Sequence, residues 1–196
     1  MITIVSGFQR CGSSLMLQML RAGGLKVFHD AEMGYPAFET QRTVDSASES
    51  AWLEALDGQA LKWLEPRHTM PASVRPELRI IWMKRDFNEQ ARSAVKFMRH
   101  VVGLALPRET RRVFAASYRR DEPSSVSAWG KRGKVHVQRF EHLIENPQQA
   151  AIDVQLFLAV PLNVAAMVNE VRERRTACLD GFLEMELLAS LTSDGQ

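Results

Sequence analysis

Two cysteines in 196 residues, Cys11 and Cys178, are too few for a disulfide framework and have no metal-ligand spacing. One-sided charge is lacking as well. Twenty-five Lys and Arg stand against 23 Asp and Glu, and a net charge of +2 gives no bulk footprint for nucleic acid. No apolar run reaches the length needed to cross a bilayer. The first residues show no basic segment followed by an apolar stretch and a small-residue cleavage site, the pattern of a secretory signal. These absences predict a cytoplasmic protein with no nucleic-acid or membrane partner and no metal. What is present is ordinary: 45% hydrophobic and 24% charged residues, no repeat and no linker-like tract. That composition predicts one domain spanning 1–196, long enough for a buried core.

Residues 2–5 are a β-branched run that stops at Ser6-Gly7 and reads as a buried strand. A helical stretch over 15–21 ends at Gly23-Gly24, a helix stop. Further strands are predicted at 25–28, 60–64, 79–83 and 135–140. Helices are predicted at 51–56, from Asp86 onward, and at 107–118, 147–158, 162–174 and 181–191. Asp121, Pro123, Ser124 and Ser125 are expected to break the helix begun at 107. Strands separated by helices predict a three-layer α/β fold, a central, mainly parallel sheet flanked by helices.

Between the first strand and the first helix lies Gly7-Phe8-Gln9-Arg10-Cys11-Gly12-Ser13-Ser14. A glycine-bounded loop entering a helix N-terminus suits an anion, because backbone N–H groups there have no intrahelical partner. The two glycines have the spacing of the nucleotide P-loop, G-x-x-x-x-G-K-[ST], but Ser13 stands where its lysine belongs and Arg10 lies inside the loop. An ATPase or kinase without that lysine lacks its charge on the terminal phosphates. The bland alternative is a tight turn that binds nothing. A second constellation follows the strand at 79–83: Lys84-Arg85-Asp86, then a helix carrying Ser93. Arg85 offers a charged fork for phosphate at a strand C-terminal end, where open α/β sheets bind ligands. It also reads as half of a surface ion pair with Asp86 or Glu89, with Ser93 facing solvent.

These blocks resemble the sulfotransferase family, most closely its short bacterial members. The loop is similar to their Gly-Phe-Pro-Arg-Ser-Gly-Thr-Ser opening, with Cys11 for a serine. Arg85-Asp86 and Glu89 are similar to the Arg-Asp-x-x-Glu motif, and Ser93 follows Arg85 by the family's eight residues. Residues 135–143, Asn146-Pro147 and Phe157-Leu158 resemble the family's late strand, its Tyr-Glu-Asp-Leu, its Asp-Pro turn and its Phe-Leu helix end. Gly34-Tyr35 and Phe38-Glu39 match a Gly-Tyr-x-Glu-Phe-Glu element in degraded form.

The resemblance implies a P-loop-type fold and transfer of a sulfonate from 3′-phosphoadenosine 5′-phosphosulfate (PAPS) to a hydroxyl or amine. The acceptor would be a small molecule or glycan, the product adenosine 3′,5′-bisphosphate, and no metal is implied. Phe8, Gln9, Arg10, Cys11, Gly12, Ser13 and Ser14 would hold the 5′-phosphosulfate end, with Arg10 in place of the missing lysine. Arg85 and Ser93 would hold the 3′-phosphate. Phe140, where the family often has a tyrosine, is either a stacking residue for adenine or core. Lys62 is either a second cation beside the transferred group or a surface lysine. The family's base is a His or Glu, and Glu39 and His68 stand ahead of Glu65 and His29. Arg108, Arg111, Arg112, Arg119 and Arg120 read as a solvated face, as do Arg172, Arg174 and Arg175, for which closure over the 3′-phosphate is the alternative. A homodimer is compatible with this reading. Two other functions compete: a non-catalytic nucleotide-binding or interaction protein of the same fold, and a P-loop nucleotide kinase or NTPase.

Overall fold

The computed structural model describes residues 1–28, 46–66, 73–100 and 102–171, and for 46–49 and 100 the backbone alone. In chain order it forms β1 (Ile2–Gly7), α1 (Ser13–Ala22), β2 (Lys26–Val27), α2 (Ser46–Glu54), β3 (Gln59–Leu64) and β4 (Leu78–Lys84). There follow α3 (Phe87–His100), α4 (Thr110–Gly130), β5 (Lys134–Arg139), α5 (Phe140–Glu145), α6 (Pro147–Leu158) and α7 (Val164–Asn169).

Alternation along the strands divides the core in two. Ile2 and Ile4 of β1, Leu61 and Trp63 of β3, and Leu78, Ile80 and Trp82 of β4 pack with residues around and within α2, α3 and α4. Val5, Ala60, Leu64, Ile81 and Met83 point the other way and meet α1, α5, α6 and α7. Apolar side chains therefore leave both faces of the sheet, and the stable solution is a helix layer on each. The strand order is β2-β3-β1-β4-β5, and the pairs β1–β3, β1–β4, β2–β3 and β4–β5 are all parallel.

This order creates the crevice that matters. From β1 the chain leaves through α1 toward β2, and from its neighbour β4 it leaves through α3 and α4 toward β5 on the opposite side. Adjacent strands whose connections diverge leave a gap at their C-terminal ends, where ligands bind in folds of this kind. The two motifs flanking Gly7 and Arg85 lie at those ends.

Three elements differ from the sequence-based expectation. The second strand shrinks to Lys26–Val27. Phe140 opens a helix instead of closing a strand. The helix expected to break near Pro123 runs on to Gly130. Tyr118, Ser125 and Trp129 are all buried, and the Trp129 indole N–H donates to Ser6 Oγ at 2.8 Å. This packing outweighs the roughly 3 kcal/mol that an interior proline costs. The helix expected at 162–174 is represented by α7, while its last residues and the helix expected at 181–191 lie outside the described residues. Among the described residues no helix is long and apolar enough to cross a membrane.

Pro123 is exposed, so its replacement tests backbone energetics alone. Pro123→Ala restores an N–H to the α4 ladder and should stabilise the fold by about 1–3 kcal/mol, read as a higher denaturant midpoint. A lower midpoint would contradict an uninterrupted α4.

Candidate functional site

The loop after β1 is shaped by close approach. A Cβ on Gly7 would lie 2.7 Å from the Met83 carbonyl oxygen and 2.7 Å from Cys11 Sγ, and Gly7 has φ 148°. Gly12, at φ 98°, would press a Cβ to 2.4 Å from Phe140 Cδ2. Arg10 holds a left-handed φ of 67°, uncommon for a residue with a side chain. The loop is thereby wedged between the end of β4 and the start of α5. The Cys11 thiol is fully buried, and burial pushes its pKa up. The Ser13 N–H and hydroxyl and the Lys62 charge offset this in part. Only the backbone of Cys11 is left to serve a ligand.

Three successive carbonyls of the loop are held by side chains from the β4–α3 unit. Gln90 Nε2 donates to the Phe8 carbonyl at 3.1 Å and to the Gln9 carbonyl at 2.9 Å. An Arg85 guanidinium N–H donates to the Arg10 carbonyl at 3.3 Å. From the other side, Glu65 Oε1 accepts the Gln9 N–H at 2.8 Å. Gln90 is 1% exposed. With these oxygens tied down, an anion at the loop meets the N–H groups of the first turn of α1. That turn has no acidic residue and no side-chain cap.

The cations converge on the same place. Arg10 Nε donates to Ser93 Oγ at 3.1 Å, and its guanidinium lies 5.1 Å from the Phe97 ring centroid. Arg85 is buried, with its guanidinium 4.6 Å from the Phe140 ring centroid. Asp86 is occupied elsewhere, its Oδ1 accepting the N–H groups of Asn88 and Glu89 as an N-terminal cap on α3. Glu141 Oε1 accepts the Asp86 N–H at 2.8 Å and so ties the end of β4 to α5. Lys62 is no surface lysine. It is 9% exposed, and its ammonium donates to Ser14 Oγ at 3.3 Å. Arg10 is thus drawn to the Ser93 side, while the cation beside the α1 N-terminus comes from β3.

Other sequence candidates fall as follows. The Phe8 ring is core, edge-on to Trp82 and stacked on Tyr118. Phe140 is buried, its ring committed to Gly12 and Arg85. Ser13 and Ser93 are buried. Arg108, Arg111, Arg112, Arg119 and Arg120 are exposed, with Arg119 near the Phe87 ring and Arg120 paired with Asp121. Glu39, His68, His29, Arg172, Arg174 and Arg175 lie outside the described residues. Sequence reasoning missed Gln90, and it weighed Glu65 only as a base. The one available signal for Gln90 was its place, three residues after Phe87 and four before Ala94, on the apolar stripe of α3.

Two outcomes follow from the packing of the loop. Gly12→Ala forces a Cβ into Phe140 at a left-handed position and should cost about 1–3 kcal/mol or more in a urea melt. Unchanged stability would contradict the contact. The buried Cys11 thiol stays protonated in the native chain, so its contribution is complete below the ordinary thiol pKa and is lost above it. Above about pH 8.5 stability should fall by up to about 1.4 kcal/mol per pH unit from this group. Cys11→Ala should remove that part of the slope, and an unaltered slope would contradict it.

The sequence matches the family profile described as "Sulfotransferase domain" over residues 2–178. A search of curated proteins finds no match. Among solved structures, a retinol dehydratase in complex with androsterone and inactive cofactor PAP is similar at 15% identity and a TM-score of 0.51. The match covers 87% of this chain and 63% of that one, so this chain spans less than two thirds of that protein's length. A sulfotransferase domain from the curacin biosynthetic pathway is similar at 15% identity and a TM-score of 0.50, over 91% of this chain and 81% of that one. At such identity these likenesses speak for the fold. The family match takes in the loop, Lys62, Arg85 and Ser93 together, and the chain belongs to the sulfotransferase domain family.

Proposed function

We propose that the chain is a PAPS-dependent sulfotransferase, akin to the short bacterial members of its family, acting on a hydroxyl or amine of a small-molecule or glycan acceptor. The observation that carries this reading is the meeting of two motifs 83 residues apart, Arg10 Nε on Ser93 Oγ at 3.1 Å, with Arg85 on the Arg10 carbonyl. A nucleotide with phosphates at both its 3′ and 5′ positions needs two separated anion subsites, and two sets of the described residues are candidates for them. Arg85, Ser93 and Arg10 suit the 3′-phosphate. The N–H groups of the first turn of α1, Ser14 and Lys62 suit the 5′-phosphosulfate. The P-loop kinase reading is disfavoured by chemistry. Its lysine is replaced by the buried Ser13.

The donor supplies an activated sulfonate with a phosphate leaving group. The chain's own work is alignment and charge compensation. Lys62, beside Ser14 at the start of α1, would offset charge that grows on the departing phosphate. The acceptor proton must go to a base, assigned to Glu39 or His68. The true base should lose about a hundredfold or more in kcat on replacement, and Glu39→Gln and His68→Ala separate the two.

Titration with adenosine 3′,5′-bisphosphate and, separately, with ATP–Mg²⁺ tests the donor. The bisphosphate should bind without metal, and Arg85→Ala should abolish its advantage over adenosine 5′-phosphate. A preference for ATP with obligatory magnesium would overturn the proposal, and unchanged discrimination in Arg85→Ala would remove Arg85 from the site.

A further inference from the structure

Gln9 is held by its backbone from two directions. Its carbonyl is taken by Gln90 of α3, which also takes the Phe8 carbonyl, and its N–H is taken by Glu65 just past β3. Glu65 is itself bent into place. Its φ is 53°, and its own N–H donates to the Gly7 carbonyl at 3.0 Å. Gln90 is a polar side chain on the buried stripe of α3, where an apolar residue would pack without any desolvation cost. Its amide has one NH₂ group, and that group is shared between two consecutive carbonyls of the loop.

We propose that Gln90 is a positioning residue, which together with Glu65 brackets Gln9 and keeps the loop in its anion-binding shape before any ligand arrives. Carbonyl oxygens and anions repel, so a loop that binds phosphate must keep its carbonyls turned from the ligand. Gln90→Leu keeps a similar volume but donates nothing. The Phe8 and Gln9 carbonyls then lose this donor, a loss that turning the peptide of Gln9 over toward another donor offsets. Such a turn brings an oxygen toward the anion. The Phe8 ring stays anchored by Trp82 and Tyr118, so the change falls on the loop backbone and not on the core. The choice of nucleotide rests on the donor reading above, whereas the bracket itself does not depend on it.

The test uses amide hydrogen exchange of residues 8–14 in the ligand-free chain, with inorganic pyrophosphate affinity alongside. Ala94→Gly, a buried α3 position with no bond to the loop, controls for general weakening of the helix. Gln90→Leu should speed loop exchange and weaken pyrophosphate binding by about tenfold each (about 1.4 kcal/mol), and Ala94→Gly should leave both within about twofold. Gln90→Glu should match the Leu variant at neutral pH and recover toward the native level in acid, where a protonated carboxyl can again donate to a carbonyl. Equal effects from Ala94→Gly, or unchanged loop exchange in Gln90→Leu, would overturn the proposal. Because exchange is read without ligand, this result is independent of whether the wild type prefers the bisphosphate or ATP.

Discussion

The site depends on where three backbone oxygens point. Gln90 and Arg85 hold the carbonyls of Phe8, Gln9 and Arg10, and on our proposal the glycine-bounded loop can receive an anion because its oxygens are so held. Both donors belong to β4 and the helix after it. The loop follows β1, so its shape depends on the neighbouring strand's unit as well as on its own glycines. The pairing of β1 with β4, in register from Ile2 opposite Leu78 to Gly7 opposite Met83, brings the two within reach.

That dependence explains why charge and strain collect in one place. Arg10 has a left-handed backbone and a side chain that crosses to Ser93. Arg85 is buried against an aromatic ring. Lys62 approaches from β3 on the far side of β1. Each is costly alone: a strained φ, a buried guanidinium, a buried ammonium. Their cost would be offset by an anion with two charged ends in the crevice, and this is the physical reason for proposing the cluster as a binding site.

Much of the fold was legible because its strands carry strong signals. Ile2 to Val5, broken only by Thr3, and Ile80 to Met83 are apolar runs in a sheet covered on both faces, and Pro147 fixed the start of α6. Pro123 misled because local propensity is weaker than the burial of Tyr118 and Trp129 on the same helix. The glycines and the Arg85–Ser93 spacing pointed to a candidate site, since close approach of the backbone and a fork for an anion would restrict residue type. Gln90 and Glu65 could not be seen that way. A glutamine or glutamate that binds backbone leaves no pattern in the chain, because its partner is any peptide group. Lys62 was ambiguous for a related reason: only the parallel register of β3 on β1 shows that it faces α1.

The most direct test is the structure of the chain with adenosine 3′,5′-bisphosphate bound. The account predicts the 3′-phosphate in hydrogen-bond reach of Arg85 and Ser93 Oγ, and the 5′-phosphate over the first turn of α1 with the Lys62 ammonium beside it. A nucleotide seated away from the β1–β4 crevice, or with its 3′-phosphate turned to solvent, would contradict it.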